Sequence, residues 1–174
     1  SRSGDLQIGT DGSVWVNIGA QTWYSPNGDD NSFSEISSQN PGATGLPRSN
    51  RRMSYALAKD PDVMYVVQTD QVFVDPGNGT SVSIGQGFDK LYRTEDRGAT
   101  WEVIMQRTNT FDPTCNGNSY CQANWNLMLG VDPNDENHVF FGGIDVWEWR
   151  RSSGRRKVDG GGSFYIHADK HEII

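Results

Sequence analysis

Short apolar runs that alternate with polar residues make up most of this chain, and clusters of Gly, Asn, Asp and Pro separate them. Clear examples lie at residues 63–67, 139–141 and 146–149. No stretch shows the three- and four-residue repeat of apolar positions that marks an amphipathic helix. Alternation with a period of two, bounded by turn-forming residues, is typical of strands. The pattern therefore predicts an all-β chain.

Three local patterns recur and indicate internal repeats. A strand that ends in Asp-Pro and leads into a second strand occurs at residues 55–67 and 127–141. A Gly-x-Asp turn before an aromatic strand occurs at residues 9–15, 87–92 and 143–147. A turn that ends in Thr-Trp occurs at residues 94–101 and, in a degenerate form, at 17–23. Their order predicts a four-stranded antiparallel meander, which is the blade of a β-propeller.

These repeats divide the chain, taken as a single propeller segment, into blades. We expect the end of one blade at residues 1–25 and an inter-blade loop at 26–51. A full blade follows at 52–106, the next blade at 124–165, and the first strand of a further blade at 166–174. Propellers close with about four to eight blades, whereas this chain supplies between two and three. The fold expected is thus a partial β-propeller, and its predicted partners are the remaining blades, covalently joined or on other chains.

One turn carries a recognisable motif. Residues 94–101 match the Asp-box pattern Ser/Thr-x-Asp-x-Gly-x-Thr-Trp at every defined position, namely Thr94, Asp96, Gly98, Thr100 and Trp101. In such a hairpin the Asp can accept hydrogen bonds from backbone N–H groups, the Gly permits positive φ, and the Trp packs into the blade. We therefore expect a structural role for the box. The chain departs from the pattern at residues 17–23 and 151–157, where a box is degenerate or missing.

On these motifs the chain resembles the Asp-box, or BNR, repeat propellers. The family includes sialidases, xyloglucanase-type glycoside hydrolases, sortilin-type receptors and large exported bacterial surface proteins. The order of motifs at residues 132–134, 142–147 and 167–171 is most similar to that of the exported surface proteins. The resemblance implies a bacterial protein that is secreted or displayed on the cell surface. It also implies that Asp boxes lie at the blade periphery, away from the binding face.

Composition narrows the function classes. The chain has 174 residues and a net charge of -7, which suits one domain and makes binding to nucleic acid a poor prediction. No apolar run is long enough to cross a bilayer, so no membrane span is expected. The one basic cluster is interpreted as a solvated Gly/Ser-rich loop and comprises Arg150, Arg151, Arg155, Arg156 and Lys157.

The two cysteines lie close together in sequence. Cys115 and Cys121 flank five residues rich in turn formers. We predict a local disulfide, as is common in exported proteins, with two reduced thiols as the alternative. Without paired histidines nearby, these cysteines make a poor zinc site.

Metal binding is the one cofactor role that the sequence suggests. His167, Asp169 and His171 would share one face of a strand, as half of a site for a divalent metal such as calcium or zinc. The alternative is a hydrogen-bonded lining of the propeller channel. Residues 29–31 and 132–137 are oxygen-rich but lack the ligand spacing of an EF-hand, so we interpret them as solvated turns.

Catalytic groups are harder to assign. A glycosidase needs two carboxylates across the scissile bond, and the candidates at strand ends are Asp11, Asp70, Asp89 and Asp145. No feature of the sequence pairs any two of them, and Asp11, Asp89 and Asp145 suit a turn-capping role. The arginines Arg48, Arg51 and Arg52 do not form a sialidase motif. Trp147 and Trp149 could stack on a sugar if exposed, but we expect them in the core.

The sequence therefore favours a non-catalytic scaffold or ligand-recognition segment of a larger exported propeller, with a glycan or protein ligand bound by loops at the channel face. The first alternative is part of a glycoside hydrolase whose catalytic carboxylates lie partly outside this chain. The second is a receptor-like, sortilin-type propeller that binds proteins.

Overall fold

The computed structural model describes residues 4–158, and that part of the chain contains strands and turns but no helix. Accordingly, no helix in it could span a membrane. The first sheet comprises β1 (Leu6–Ile8), β2 (Val14–Ile18), β3 (Gln21–Ser25) and β4 (Ser34–Glu35). Its strands lie side by side in chain order, each antiparallel to the next. The order is that of a propeller blade.

The central sheet repeats this meander and extends it. It comprises β7 (Met53–Leu57), β8 (Met64–Val74), β9 (Val82–Thr94) and β10 (Glu102–Gln106). The long β8 and β9 project beyond the blade, where the hairpin of β11 (Cys115–Asn116) and β12 (Tyr120–Gln122) pairs with β9. A small parallel pair, β5 (Ser37–Ser38) and β6 (Leu46–Pro47), precedes this sheet in the chain.

The third sheet is again a four-stranded antiparallel meander. It comprises β13 (Met128–Asp132), β14 (Asp135–Gly142), β15 (Val146–Arg150) and β16 (Gly154–Lys157). The first strands of the outer sheets, β1 and β13, both lie against β7. The three sheets are therefore arranged around a common inner side, and the described chain is an all-β partial propeller of three blades.

Two hydrophobic cores join the blades. Trp15, Tyr55 and Trp101 belong to the core between the first and second blades, and all three are buried. Phe88 and Phe141 belong to the core between the second and third blades, where their ring centres lie 5.7 Å apart. Each blade thus buries its apolar positions against a neighbour, as the alternating sequence pattern requires.

Turns at the two ends of the blades define two faces. The lower face carries the β7–β8 and β13–β14 turns, where the two Asp-Pro pairs of the sequence repeat lie, Asp60-Pro61 and Asp132-Pro133. The upper face carries the β8–β9 and β14–β15 turns.

The first blade differs from the expectation. Residues 6–35 form a complete, short-stranded sheet, whereas the sequence predicted only the end of a blade before residue 25. The segment 26–51 contains three two-residue strands, β4, β5 and β6, whereas we expected a loop. The β1–β2 turn at residues 9–13 lies at the opposite end from the β14–β15 turn with which the repeats aligned it, and the aligned segment 87–92 lies inside β9 and is not a turn. The β2–β3 turn at residues 18–21 likewise lies at the opposite end from the Asp box. Turns at both ends of a blade use Gly, as those at residues 9–13 and 18–21 do, so the presence of Gly does not reveal which end of a blade a turn occupies.

Candidate functional site

A cleft opens on the upper face between the second and third blades. Its volume is about 600 Å³. The β8–β9 hairpin, the connection that follows β10 and the β14–β15 turn surround it. Its polar lining comes from Asp75, Arg107, Thr108, Asn109, Thr110, Asp112, Asn118 and Asp145. Loops from two blades therefore converge on one concave site, as is usual for binding sites on rigid scaffolds.

An aromatic pair forms the inner wall of this cleft. The rings of Phe111 and Trp147 meet edge to face with centres 4.9 Å apart. The guanidinium of Arg155 lies 4.0 Å from the centre of the Phe111 ring, in cation–π contact. Trp147 and Trp149 are partly buried and pack against the core between these blades. The wall is thus an extension of the core.

Asp112 is the most constrained carboxyl group of the cleft. Its Oδ1 accepts hydrogen bonds from the backbone N–H of Phe88 (3.2 Å) and Thr114 (2.9 Å), and from the Thr114 hydroxyl (2.6 Å). Desolvation by burial nevertheless raises the pKa of Asp112 above its ordinary value, against these hydrogen bonds and the nearby charge of Arg107.

Unsatisfied polar atoms concentrate at this cleft. Within residues 4–158, Arg107 Nη1, Asp112 Oδ2 and Trp147 Nε1 are buried and have no hydrogen-bond partner. The same is true of Gln86 on the adjacent β9, and of two atoms in the first blade, Ser13 Oγ and Trp15 Nε1. Each such group costs about 1–3 kcal/mol of stability. Several at one cleft indicate a region that is not optimised for stability alone.

A disulfide supports the outer wall of the cleft. Cys115 and Cys121 are bonded to each other and lie directly opposite in the β11–β12 hairpin. This hairpin approaches β9 so closely that a Cβ at Gly85 would lie 2.2 Å from the Cys121 carbonyl oxygen. A Cβ at Gly87 would lie 2.3 Å from Asp112 Oδ2. The glycines of the Gly85–Gln86–Gly87 stretch therefore make the contact possible.

No metal centre emerges in the part of the chain that the structure describes. Asp112, Cys115 and Cys121 place one carboxylate oxygen and two sulfurs within 4.8 Å of one another. Because these sulfurs are joined in a disulfide, they are not the thiolates that bind metal. The predicted metal ligands, His167, Asp169 and His171, lie outside the described residues, so that site stays a prediction.

The Asp box lies on the lower face, between β9 and β10. Asp96 accepts hydrogen bonds from the backbone N–H of Thr100 (2.8 Å) and from the hydroxyls of Thr100 (2.6 Å) and Thr94 (2.8 Å). Gly98 has a φ of 83°, and the Trp101 indole donates to its carbonyl oxygen at 3.0 Å. Although partial desolvation opposes the change, these hydrogen bonds lower the pKa of Asp96.

Arg97, a variable position of the box, connects three turns of the lower face. Its guanidinium lies 2.5 Å from Asp62 of the β7–β8 turn and 2.9 Å from Asp11 of the β1–β2 turn. It also donates to the Tyr24 hydroxyl at 3.1 Å. Asp11 caps its own turn by accepting the Ser13 N–H at 3.0 Å. The box thus joins the first blade to the second, and Asp11 has a structural role.

The structure does not bring the four candidate glycosidase carboxylates together. Asp11 is on the lower face, whereas Asp70 is exposed on β8, 3.8 Å from Arg51. Asp89 lies within β9, and only Asp145 lines the cleft, where it pairs with Lys157 at 2.8 Å.

The other candidate arginines have local partners. Arg48 forms a two-pronged ion pair with Glu35, with both N–O distances 2.6 Å, and this pairing lowers the pKa of Glu35 to about 2. Arg52 donates to backbone carbonyls before β13, including that of Trp125 at 2.7 Å. Neither arginine is available as a substrate clamp.

The basic cluster is not a solvated loop. Arg150 lies in β15, and residues 155–157 lie in β16. Arg156 contacts the buried Glu148 at 2.5 Å. Glu148 in turn lies 2.8 Å from His138, whose other ring nitrogen is 2.9 Å from Asp132. Strand β16 escaped the prediction because its four residues are one Gly and three cations, with no apolar position to show alternation.

Sequence reasoning missed Arg107 and Asp112. Both lie in the segment between the expected blades, at residues 107–123, to which the repeats assigned no element. The available signal was the Asp112-Pro113 pair ahead of the cysteine loop, since Asp-Pro elsewhere marks a turn.

Comparisons with known proteins add little to this picture. No family model matches the chain, and no curated protein matches it. Among solved structures, the chain is similar to one described as TolB from Agrobacterium tumefaciens, with 12% sequence identity and a TM-score of 0.33. The match covers 92% of this chain and 63% of the other, so this chain spans less than two thirds of that structure's length. The fold assignment rests on the sheets described above.

Proposed function

We propose that this chain is a non-catalytic ligand-recognition segment of a larger, exported Asp-box propeller, and that the cleft between its second and third blades holds the ligand. The convergence of upper-face loops from two blades on one cavity of about 600 Å³ carries this proposal. The Cys115–Cys121 disulfide supports an exported location, because such bonds persist in oxidising compartments.

The lining of the cleft favours a glycan. Thr108, Asn109 and Thr110 offer short hydroxyl and amide groups, and Asp75 and Asp145 offer carboxylates. Sugar hydroxyls donate and accept at once and can pair with such mixed groups, while the Phe111–Trp147 wall limits their orientation.

A glycan array followed by titration calorimetry tests this proposal. Xyloglucan oligosaccharides and sialyllactose serve as named probes beside the array. The Asp145→Asn and Thr110→Val variants should weaken binding about tenfold each, since each removes one well-placed polar contact. Asn134→Ala, an exposed change on the lower face, is the matched control and should bind like the original chain. Binding that survives both cleft variants, or an array without any bound glycan, would contradict the proposal.

A glycoside hydrolase is the second candidate, because Asp112 and Asp145, two of the three carboxyl groups that line the cleft, could form a catalytic pair. Burial raises the pKa of Asp112, as a general acid requires, and Asp145 would be the second carboxylate. The pairing of Asp145 with Lys157 weakens this alternative, since the lysine already neutralises that charge. Turnover of chromogenic glycosides that is abolished by Asp112→Asn and by Asp145→Asn, but kept in Asn134→Ala, would favour the enzyme.

A further inference from the structure

The disulfide beside the cleft closes a small local loop. Cys115 and Cys121 are cross-strand neighbours, with a sequence separation of 6. Short loops gain the least stability from cross-linking, because little chain entropy is lost when they close. The three blades are held by their interblade cores, to which Cys115 does not belong. The fold can therefore persist when this bond is opened.

The two sulfurs differ in access. Cys115 is half-buried and lines the cleft, whereas Cys121 is buried against β9 with 6% of its surface exposed. A thiolate that enters the cleft therefore reaches Cys115 Sγ first. Attack there forms a mixed disulfide at Cys115 and expels Cys121 as a thiolate. A buried thiolate is disfavoured by desolvation, so this step needs a proton source.

Asp112 is positioned to supply that proton. Its Oδ1 already accepts three hydrogen bonds, whereas its buried Oδ2 has no partner within the described residues. A carboxyl proton therefore belongs on Oδ2. A carboxylate oxygen of Asp112 and both sulfurs lie within 4.8 Å of one another, which allows transfer directly or through one water. Burial raises the pKa of Asp112, so that its protonated form persists to higher pH than that of an exposed carboxyl group.

We propose that Cys115–Cys121 is a redox-active disulfide that exchanges with a dithiol bound in the cleft, with Asp112 as its proton donor and acceptor. In the forward direction the first dithiol sulfur bonds to Cys115, and Cys121 leaves and takes the proton from Asp112. The second dithiol sulfur releases its proton to solvent and attacks the first, expelling Cys115, which takes a proton from solvent. The dithiol is oxidised to a disulfide, the protein bond is reduced to two thiols, and solvent returns the proton to Asp112. Reoxidation reverses each step.

The test follows reduction of the full chain by dithiothreitol, with free thiols trapped by a maleimide that shifts the band on a gel. Each rate is divided by the thiolate fraction of the reagent. Asp112→Asn keeps an Oδ1 acceptor for Thr114 and Phe88 but has no acidic proton, so its corrected rate should fall about tenfold or more. Asp70→Asn, the same change at an exposed position of the same sheet, is the control and should not alter the rate.

The pH profile gives a second, independent readout. The corrected rate of the original chain should fall as pH rises through the titration of Asp112, while that of Asp112→Asn stays level. Equal corrected rates for the original chain and Asp112→Asn would overturn the proposal. It would also be overturned by a pH-independent corrected rate in the original chain, a result that does not require the variant to fold. Reduction that occurs only with loss of the circular dichroism signal would overturn it as well.

Discussion

The Asp-box corner on the lower face and the cleft on the upper face each contain an Asp two residues from a Thr beside a tight turn. The pair is Thr94 and Asp96 in the corner, and Asp112 and Thr114 in the cleft, and the hydrogen bonding of the two Asp side chains differs. Asp96 uses both carboxylate oxygens, and Trp101 donates to Gly98. Asp112 uses one oxygen only, and Trp147 Nε1 has no partner within the described residues. The pKa of Asp96 is lowered, whereas that of Asp112 is raised.

This difference separates stability from function in the same fold. A carboxylate whose pKa is lowered on folding stabilises the native state at neutral pH, and one whose pKa is raised destabilises it. The Asp-box corner therefore stabilises the contact between the first and second blades. The cleft, in contrast, retains buried polar groups that destabilise the fold. Four variants, ordered by expected effect, test whether this contrast holds.

The largest effect is expected for Trp101→Ala. Trp101 is 4% exposed and packs in the core between the first two blades, so its removal leaves a cavity. We expect a loss of about 3–5 kcal/mol in the free energy of unfolding, measured by urea denaturation. The matched control is Trp125→Ala, since Trp125 is 68% exposed, and it should change stability by less than about 0.5 kcal/mol. Similar losses in both would contradict the assigned role of the box.

Asp96→Ala should have a smaller effect, because Asp96 and Thr100 are both exposed and water can replace part of their hydrogen bonding. A loss of about 1 kcal/mol is expected at pH 7. Since the folded-state pKa is lowered, this contribution is present above the unfolded value near 3.8 and is lost as pH falls through the folded value. The unfolding curves of the variant and the original chain should therefore differ at pH 7 and coincide at low pH. A constant difference would show that charge is not involved.

The motif and the missed cleft show how far the sequence alone can go. The Asp box is predictable because its residues act on one another within eight positions of the chain, as Thr94, Asp96 and Trp101 do. The cleft depends on contacts across the chain, such as Phe88 with Asp112 and Gly87 with Cys115. The β8–β9 hairpin, the connection that follows β10 and the β14–β15 turn must all fold before the groups of the cleft meet. Local patterns therefore predicted the strands and the lower-face box, and had no means of locating the cleft.

Arg97→Ala tests the ion pairs of the lower face. Its partners Asp11 and Asp62 are partly exposed, so each pair contributes little in water. A loss of about 0.5–1 kcal/mol is expected, and it should shrink as salt is added because screening weakens exposed pairs. Arg51→Ala removes a more distant pair, at 3.8 Å from Asp70, and serves as the control with no measurable loss. A loss for Arg97→Ala that does not depend on salt would point to packing instead.

Asp112→Asn should have the smallest effect on stability, although it removes a charge from the interior. Because the folded-state pKa of Asp112 lies above its unfolded value, the folded state binds more protons between the two values, and stability falls as pH rises through that window. Above that window the ionised carboxylate destabilises the folded state, and asparagine does not carry this charge. The variant should unfold at the same urea concentration as the original chain or at a higher one. Its stability should also lack the decline with rising pH above about 4, the ordinary range of an Asp carboxyl group. A clear loss of stability at pH 7 would mean that Asp112 supports the fold as Asp96 does, and the contrast between the two faces would fail.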